Sequence, residues 1–370
     1  MSQPTQTQSP RPPKVSFHSP GAGIFNRDGL FRCLVQGSGL LVCLMLASLV
    51  IVLFISALPS IRAFGFGFLT STEWRPNERE QPVLAPDGKP LLDEDGDAIT
   101  KTIPPTFGAL PVIYGTAVSS AVALILAVPL SLGAALFLVR IAPHLLAIPV
   151  SFLVEFLAAI PSIAYGIWAL FILVPLLQHH VEPTFIAALS HVPGFGWLFH
   201  ETVHIGSRTI VLPLAPAGRD LLCGSLVLAI MIVPIITAVS RDVLRQTPLA
   251  QLEGAIALGA TWWQGSREML SFCRGGLFGA IMLGLARAAG ETMAITMVIG
   301  NNNQIVPSPL APSQTMSSLL ASEFAEASLD IHRAALCEVA LLLLVMSLVF
   351  NLVARRLVLG KHSTRAGAAL

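Results

Sequence analysis

The amino-acid sequence predicts an all-α integral membrane protein with six transmembrane helices, and three observations carry that prediction. Hydrophobic residues make up 54% of the chain and charged residues only 12%, with a mean hydropathy of +0.74, outside the range of ordinary soluble domains. Six apolar stretches reach the ~20 residues a helix needs to cross the hydrocarbon. The densest basic pairs, Arg241 with Arg245 and Arg355 with Arg356, border such stretches, where Lys and Arg mark the inner side.

Taken in order, residues 1–37 form a leader that opens on "MSQPTQTQSPRPPK". Its Pro, Gln and Ser content predicts a disordered cytoplasmic segment. The first span, 38–58, is too long for a signal-peptide core and is read as a retained helix. An outer loop follows over 59–111, where Asp87-Gly88 and Asp95-Gly96 in "APDGKPLLDEDGDAITKT" are turn signals around a small solvated hairpin. The acidic run Asp93, Glu94, Asp95 and Asp97 lacks the spacing of a calcium loop and reads as a solvated face. The other spans fall near 112–139, 147–177, 221–239, 276–299 and 335–353, making a five-helix core over 112–353 and leaving a basic tail at 354–370. Within them Pro129, Pro161, Pro175 and Pro234 each remove a helix hydrogen bond that neighbouring helices or water must replace.

With the N-terminus inside, the inner segments hold 13 Lys and Arg against 8 on the longer outer loops, so both termini are placed in the cytoplasm. The five cysteines, Cys33, Cys43, Cys223, Cys273 and Cys337, have no close spacing. They suggest neither a disulfide framework nor a zinc cage and read as small apolar filler.

The inner loop, 240–275, alternates helix starts and stops. Thr247-Pro248 suits an N-cap and first helical position, Leu249, Leu252 and Ile256 recur at helical spacing, and Gly259 supplies a permissive stop. Thr261 with Gln264 resembles a capping box opening a second helix that bears Trp262 and Trp263. Two short helices joined at a glycine suit a docking knuckle; the alternative is an amphipathic helix lying on lipid.

Here a family resemblance becomes specific. Glu253-Gly254-Ala255, then Gly259 after three residues, resembles the start of the "EAA" signature of ATP-binding-cassette (ABC) importer permeases, with Gly254 where alanine is usual and Ser271-Phe272 where Leu-Pro normally closes the signature. The string "GLARAAGETMAITMVIGN", with "FGALPVIYGTAVSSAVALILAVPLSLGAALFL" and "VEFLAAIPSIAYGIWALF", resembles the PstC-type branch of phosphate permeases. The likeness covers most of residues 50–350 and is weakest in the leader, the hairpin insert and the outer loop near 178–215. It implies a MetI-like importer permease core with an extra N-terminal helix, in the bacterial inner membrane. The implied partners are a PstA-type permease, two PstB-type ATPases and a PstS-type phosphate-binding protein outside, with no nucleic acid. ATP and Mg would be used by the ATPase subunits, and Glu253, Gly254, Ala255 and Gly259 would belong to the loop that docks on them.

Arg287 and Glu291 stand at i and i+4 inside an apolar run, on one helical face, among Gly284, Ala286, Ala288, Ala289 and Gly290. A charge at the bilayer centre costs on the order of 3 kcal/mol or more, so it faces a bundle interior, a wet cavity or a partner. A guanidinium fork suits a tetrahedral anion carrying one to two charges. Two readings remain: the pair lines a translocation path, with Glu291 tuning Arg287, or it is an ion pair locking two helices. The resemblance favours the path. Glu155 and Glu338, the other intramembrane carboxylates, are read as protonated and hydrogen-bonded inside the bundle ahead of substrate contact.

Two other patterns bear on chemistry. "HETVH", His200 to His204, fits the zinc pattern H-E-x-x-H, but its loop, with Pro193, Gly194, Gly196 and Gly206, has no room for a protease domain, and no metal site is assigned. Gly88-Lys89 and Gly360-Lys361 are followed by Pro90 and His362 rather than Ser or Thr, so no phosphate-binding loop exists and ATP must be used by a separate subunit. The chain is therefore read as a transporter subunit rather than an enzyme, importing phosphate; alternatives are another oxyanion, a proton-coupled carrier using Glu155, Glu291 or Glu338, or a membrane receptor or signalling scaffold.

Overall fold

The computed structural model describes residues 27–82, 100–189, 200–205, 208–213 and 215–366. Five helices are long and apolar enough to cross a membrane, Gly29–Phe64, Leu110–Ile141, Ser162–Ala188, Leu221–Arg245 and Asp330–Val353; a sixth is reached if Trp262–Phe272 and Arg274–Gly290, bent by 70°, are one span. This is the all-α membrane architecture with an additional first helix. The chain divides into two units, 1–52 and 53–370.

Helix α1 runs Arg27–Phe64, so it begins inside the segment assigned to the leader; residues 1–26 of that leader lie outside the described residues. The short α2 is Gly67–Thr70. Strands β1, Arg79–Pro82, and β2, Thr100–Ile103, pair antiparallel around the acidic insert, which itself lies outside the described residues. Next comes α3, Leu110–Leu136, which ends in a π turn at Phe137–Ile141.

The span predicted at 147–177 is not one helix. It divides into α4, His144–Ala159, and α5, Ser162–Trp168, because Ile160 and Pro161 are both extended, at ψ 131° and 138°. The proline ring disfavours helix at the residue before it. Tyr165 Oη donates to Leu157 O at 2.9 Å across the break. A π turn then leads into α6, Val174–Leu176, and another into α7, Glu182–Leu189. Strands β3, His200–Ile205, and β4, Arg208–Pro213, form a second hairpin.

Helix α8, Leu221–Arg245, is capped by Asp220, whose carboxylate accepts from Cys223 N. It is the most enclosed of the five long helices. Lipid offers helices no hydrophobic drive to associate, so close van der Waals packing over small residues holds them. Accordingly Ala123 and Ala127 of α3 meet Leu228, Ile232 and Ile236 of α8. Beside Pro234, Ser131 Oγ donates to Val233 O at 3.2 Å and Thr237 Oγ1 donates to Ser131 O at 3.5 Å, tying α3 to α8.

The inner loop carries α9, Leu249–Ala257, and α10, Trp262–Phe272. Then come α11, Arg274–Gly290, α12, Met293–Val298, α13, Met316–Glu323, and α14, Asp330–Ala366, which continues as helix through most of the predicted basic tail. On the side of β1 and β2, Trp74 packs edge-on to Phe107 with ring centroids 5.0 Å apart. Glu323 accepts from the Trp74 indole at 2.8 Å and lies 3.0 Å from His332 Nε2, binding this loop to α13 and α14.

Candidate functional site

The predicted span 276–299 is interrupted at its charge pair. Helix α11 ends at Gly290, Glu291 is extended at φ −69° and ψ 130°, and helix resumes at Met293. Arg287 and Glu291 are therefore not on one continuous helical face: Arg287 lies in the last turn of α11 and Glu291 just beyond it. Backbone carbonyls freed by such a break need partners where no bulk water reaches. Thr292 Oγ1 donates to Gly290 O at 3.2 Å, Thr296 Oγ1 to Thr292 O at 2.6 Å, and Ser317 Oγ to Glu291 O at 2.6 Å.

That last bond brings the start of α13 to the break. Thr315 caps α13 through a reciprocal box with Ser318, and Thr116 Oγ1 of α3 accepts from Met316 N at 2.9 Å while donating to Val112 O at 2.7 Å. Thr116, Ser119, Ser120, Ser313, Gln314, Thr315, Ser317 and Ser318 are all buried. Buried Gln314 Oε1 and Asn303 Oδ1 find no donor among the described residues. This hydroxyl and amide lining was missed in the sequence, although "SQTMSS" beside an apolar span is its visible signal.

Arg287 Nε stands 3.9 Å from Glu291 Oε2, with the arginine side chain 45% exposed and the glutamate 7%. The pair is a loose contact rather than a bidentate clamp. Gly279 and Gly290 have open space where a Cβ would stand, so the α11 surface carrying Arg287 is uncovered among the described residues. An arginine on such a surface needs water, a partner or an anion.

Glu155 is half-exposed rather than enclosed in the bundle, and its Oε1 accepts from Arg241 Nη2 at 2.9 Å. Arg241, read in the sequence only as part of a basic border, is 8% exposed and also bonds Asp242 at 2.8 Å. Glu338 lies buried in α14, with Oε2 lacking a donor among the described residues. Among the described residues, neither Glu155 nor Glu338 is hydrogen-bonded or ion-paired to Arg287 or Glu291.

On the inner loop, Pro248 rather than Thr247 takes the N-cap position of α9. Thr247 Oγ1 instead contacts Cys273 Sγ at 3.0 Å, holding the two ends of the loop together. Gly259 has φ +83°, the left-handed conformation that stops α9, and the Thr261–Gln264 capping box opens α10. Glu253 and Gly254 are exposed on α9 and Ala255 is half-buried. Leu258 is 92% exposed and Trp263 63%, an apolar tip, while the Arg140 guanidinium at the end of α3 lies 5.8 Å from the Trp262 ring centre. Helix α10 closes at Phe272 without the usual Leu-Pro.

"HETVH" is strand β3, not helix. Four extended steps separate its histidine Cα atoms by about 13 Å, whereas the zinc pattern needs both on adjacent turns of a helix. A different acidic pair is buried at the start of α8: Gly218 N donates to Glu182 Oε2 at 3.2 Å and Cys223 N to Asp220 Oδ1 at 2.7 Å. Burial, reinforced by the adjoining Glu182 carboxyl, pushes Asp220 up to about 7.

No protein-family model matches the chain. It is 36% identical over 342 residues to the phosphate transport system permease protein PstC of Mesorhizobium japonicum, covering 92% of each chain. Identity to the protein of the same name from Haemophilus influenzae is 38% over 339 residues, 91% of this chain and 95% of the relative. The similarly named PstC 1 of Mycobacterium tuberculosis is 36% identical over 309 residues, 82% of this chain and 85% of its own.

Proposed function

Because the chain belongs to the PstC family of phosphate transport system permeases, we propose that it forms half of a phosphate path and couples that path to a separate ATPase. It is a multi-pass membrane protein; the proposed setting is the bacterial inner membrane with both termini cytoplasmic. A PstA-type permease forms the other half, two PstB-type subunits use ATP and Mg, and a PstS-type protein delivers phosphate from outside. This subunit breaks no bond itself.

The half-exposed Arg287 guanidinium beside the break at Glu291 carries this reading. Its long contact with Glu291 leaves donors free for a tetrahedral anion, and an arginine fork binds such oxygens in pairs. Glu291 holds Arg287 when the path is empty and can accept from the hydroxyl of a protonated phosphate. Sulfate, without that proton near neutral pH, would leave the same carboxylate facing an anion. The inner tip at Leu258 and Trp263, on the loop bearing Glu253, Gly254, Ala255 and Gly259, is the surface offered to the ATPase.

Uptake of labelled phosphate into proteoliposomes carrying the four-component complex tests this function, with ATP inside or absent and sulfate in excess outside. ATP-dependent uptake that ignores sulfate is expected. Uptake without ATP would favour a proton-coupled carrier, and equal competition by sulfate would remove the phosphate assignment.

A further inference from the structure

We infer that the Arg241–Glu155 pair is a positioning clasp that carries motion of the inner loop to the break at Glu291. The inference rests on the ATP-coupled reading above. Arg241 lies four residues before the end of α8, and α8 leads directly into the inner loop. Its guanidinium holds two carboxylates at 2.8 and 2.9 Å, one from its own helix, Asp242, and one from α4, Glu155.

The two contacts have different consequences. Asp242 travels with Arg241 and neutralises the buried guanidinium wherever α8 goes, so the second carboxylate is not needed to keep the charge paired. Glu155 is 55% exposed and belongs to another helix, so its bond can be made and released without stranding a buried charge. The clasp thus has two discrete arrangements, Arg241 with both carboxylates or with Asp242 alone, as a coupling element requires.

From Glu155 the contacts continue toward the site. Helix α4 passes the extended Ile160–Pro161 link into α5, and the Tyr165 hydroxyl bonded to Leu157 O keeps both sides of that link in register. Helix α5 then meets α12 with almost no gap: a Cβ on Gly166 would stand 2.9 Å from Met297 Sδ and 3.0 Å from the Ala294 Cα. Interfaces this tight pass on displacement rather than absorb it. Helix α12 begins two residues after Glu291, so a shift of α5 moves the segment that holds the site carboxylate. Arg241 and Glu155 touch neither Arg287 nor Glu291, and their part is to position.

The test compares the reconstituted four-component complex carrying Glu155→Gln with wild type, reading ATP hydrolysis and phosphate uptake on the same vesicles. Expected is ATP hydrolysis near the wild-type rate with phosphate moved per ATP reduced about five- to tenfold or more. The conservative variant Glu155→Asp, which keeps a carboxylate on α4 opposite Arg241 and leaves the Arg241–Asp242 contact intact, retains more of the ratio than Glu155→Gln. An unchanged ratio in Glu155→Gln would overturn the clasp, as would loss of assembly or a parallel fall in hydrolysis and uptake, since those mark a purely structural pair. If wild type itself shows no ATP-dependent phosphate uptake, the proposed function fails instead, and the variants are not needed to see it.

Discussion

Replacing Gly115 by alanine tests whether the contact between α3 and the start of α13 holds the site together. A Cβ at Gly115 would collide with Gln314 O and stand 2.8 Å from Ser313 Oγ. The nearer atom is backbone and cannot rotate aside, so α3 and the 313–316 segment must part by roughly 1 Å or more. Overpacking of this kind costs about 1–3 kcal/mol. The next residue, Thr116, accepts from the buried Met316 N–H at 2.9 Å, and losing that acceptor adds about 1–3 kcal/mol. Together the cost is about 2–6 kcal/mol. The assay is thermal unfolding of the purified complex in detergent beside phosphate uptake, with Gly133→Ala as the control. Gly133 is on the same helix, and nothing lies within 4 Å of its Cβ position, so the control gains up to about 1 kcal/mol from helix propensity. Gly115→Ala is expected to lower the Tm by several degrees and to lose uptake. A Gly115→Ala protein with wild-type Tm and uptake would refute the claim that this junction is tight.

Two further outcomes are expected. Asp220 is raised by burial and by Glu182, so its protonated form is favoured in the native state; the stability it contributes is full below the ordinary aspartate range and is lost as pH rises through about 7. Asp220→Asn keeps a competent N-cap and should flatten the Tm between pH 5 and 8 relative to wild type; an unchanged pH slope would dismiss the buried acid as its source. Gly259→Ala places a side chain at φ +83°, costing about 1–2 kcal/mol locally. It should weaken binding of the isolated ATPase subunit to the permease in a pull-down titration, and undiminished binding would exclude that turn from the docking surface.

What was legible in the sequence was local. The α10 capping box needs only Thr261 and Gln264, three residues apart, and the α9 stop needs only Gly259, so both are found where the sequence places them. The interruption at Glu291 has no proline to announce it and is held by Ser317, 26 residues later. Arg241 and Glu155 are 86 residues apart, and hydropathy sees each only as a charge near a span. Pro161 was visible, yet one apolar stretch on both sides of it hides a break that only the backbone reveals. The hairpin of β3 and β4 shows the opposite case: "RTIVLP" is rich in strand-forming residues, while the i, i+4 histidines of "HETVH" match a helical metal pattern that the extended backbone does not form. Helix α1 extends to Arg27 because a helix can continue past the apolar stretch that predicts it.

The most direct test is phosphate uptake by the reconstituted complex carrying Arg287→Gln, measured with ATP hydrolysis and subunit assembly on the same preparation. Glutamine keeps a polar side chain of moderate length beside Glu291 but removes the charge and the fork. With Arg287 on the path, uptake falls about ten- to a hundredfold, the scale of losing a charged hydrogen-bonding anchor, while assembly is intact. Uptake at the wild-type rate in a fully assembled complex would contradict the account and leave Arg287 and Glu291 as a structural pair.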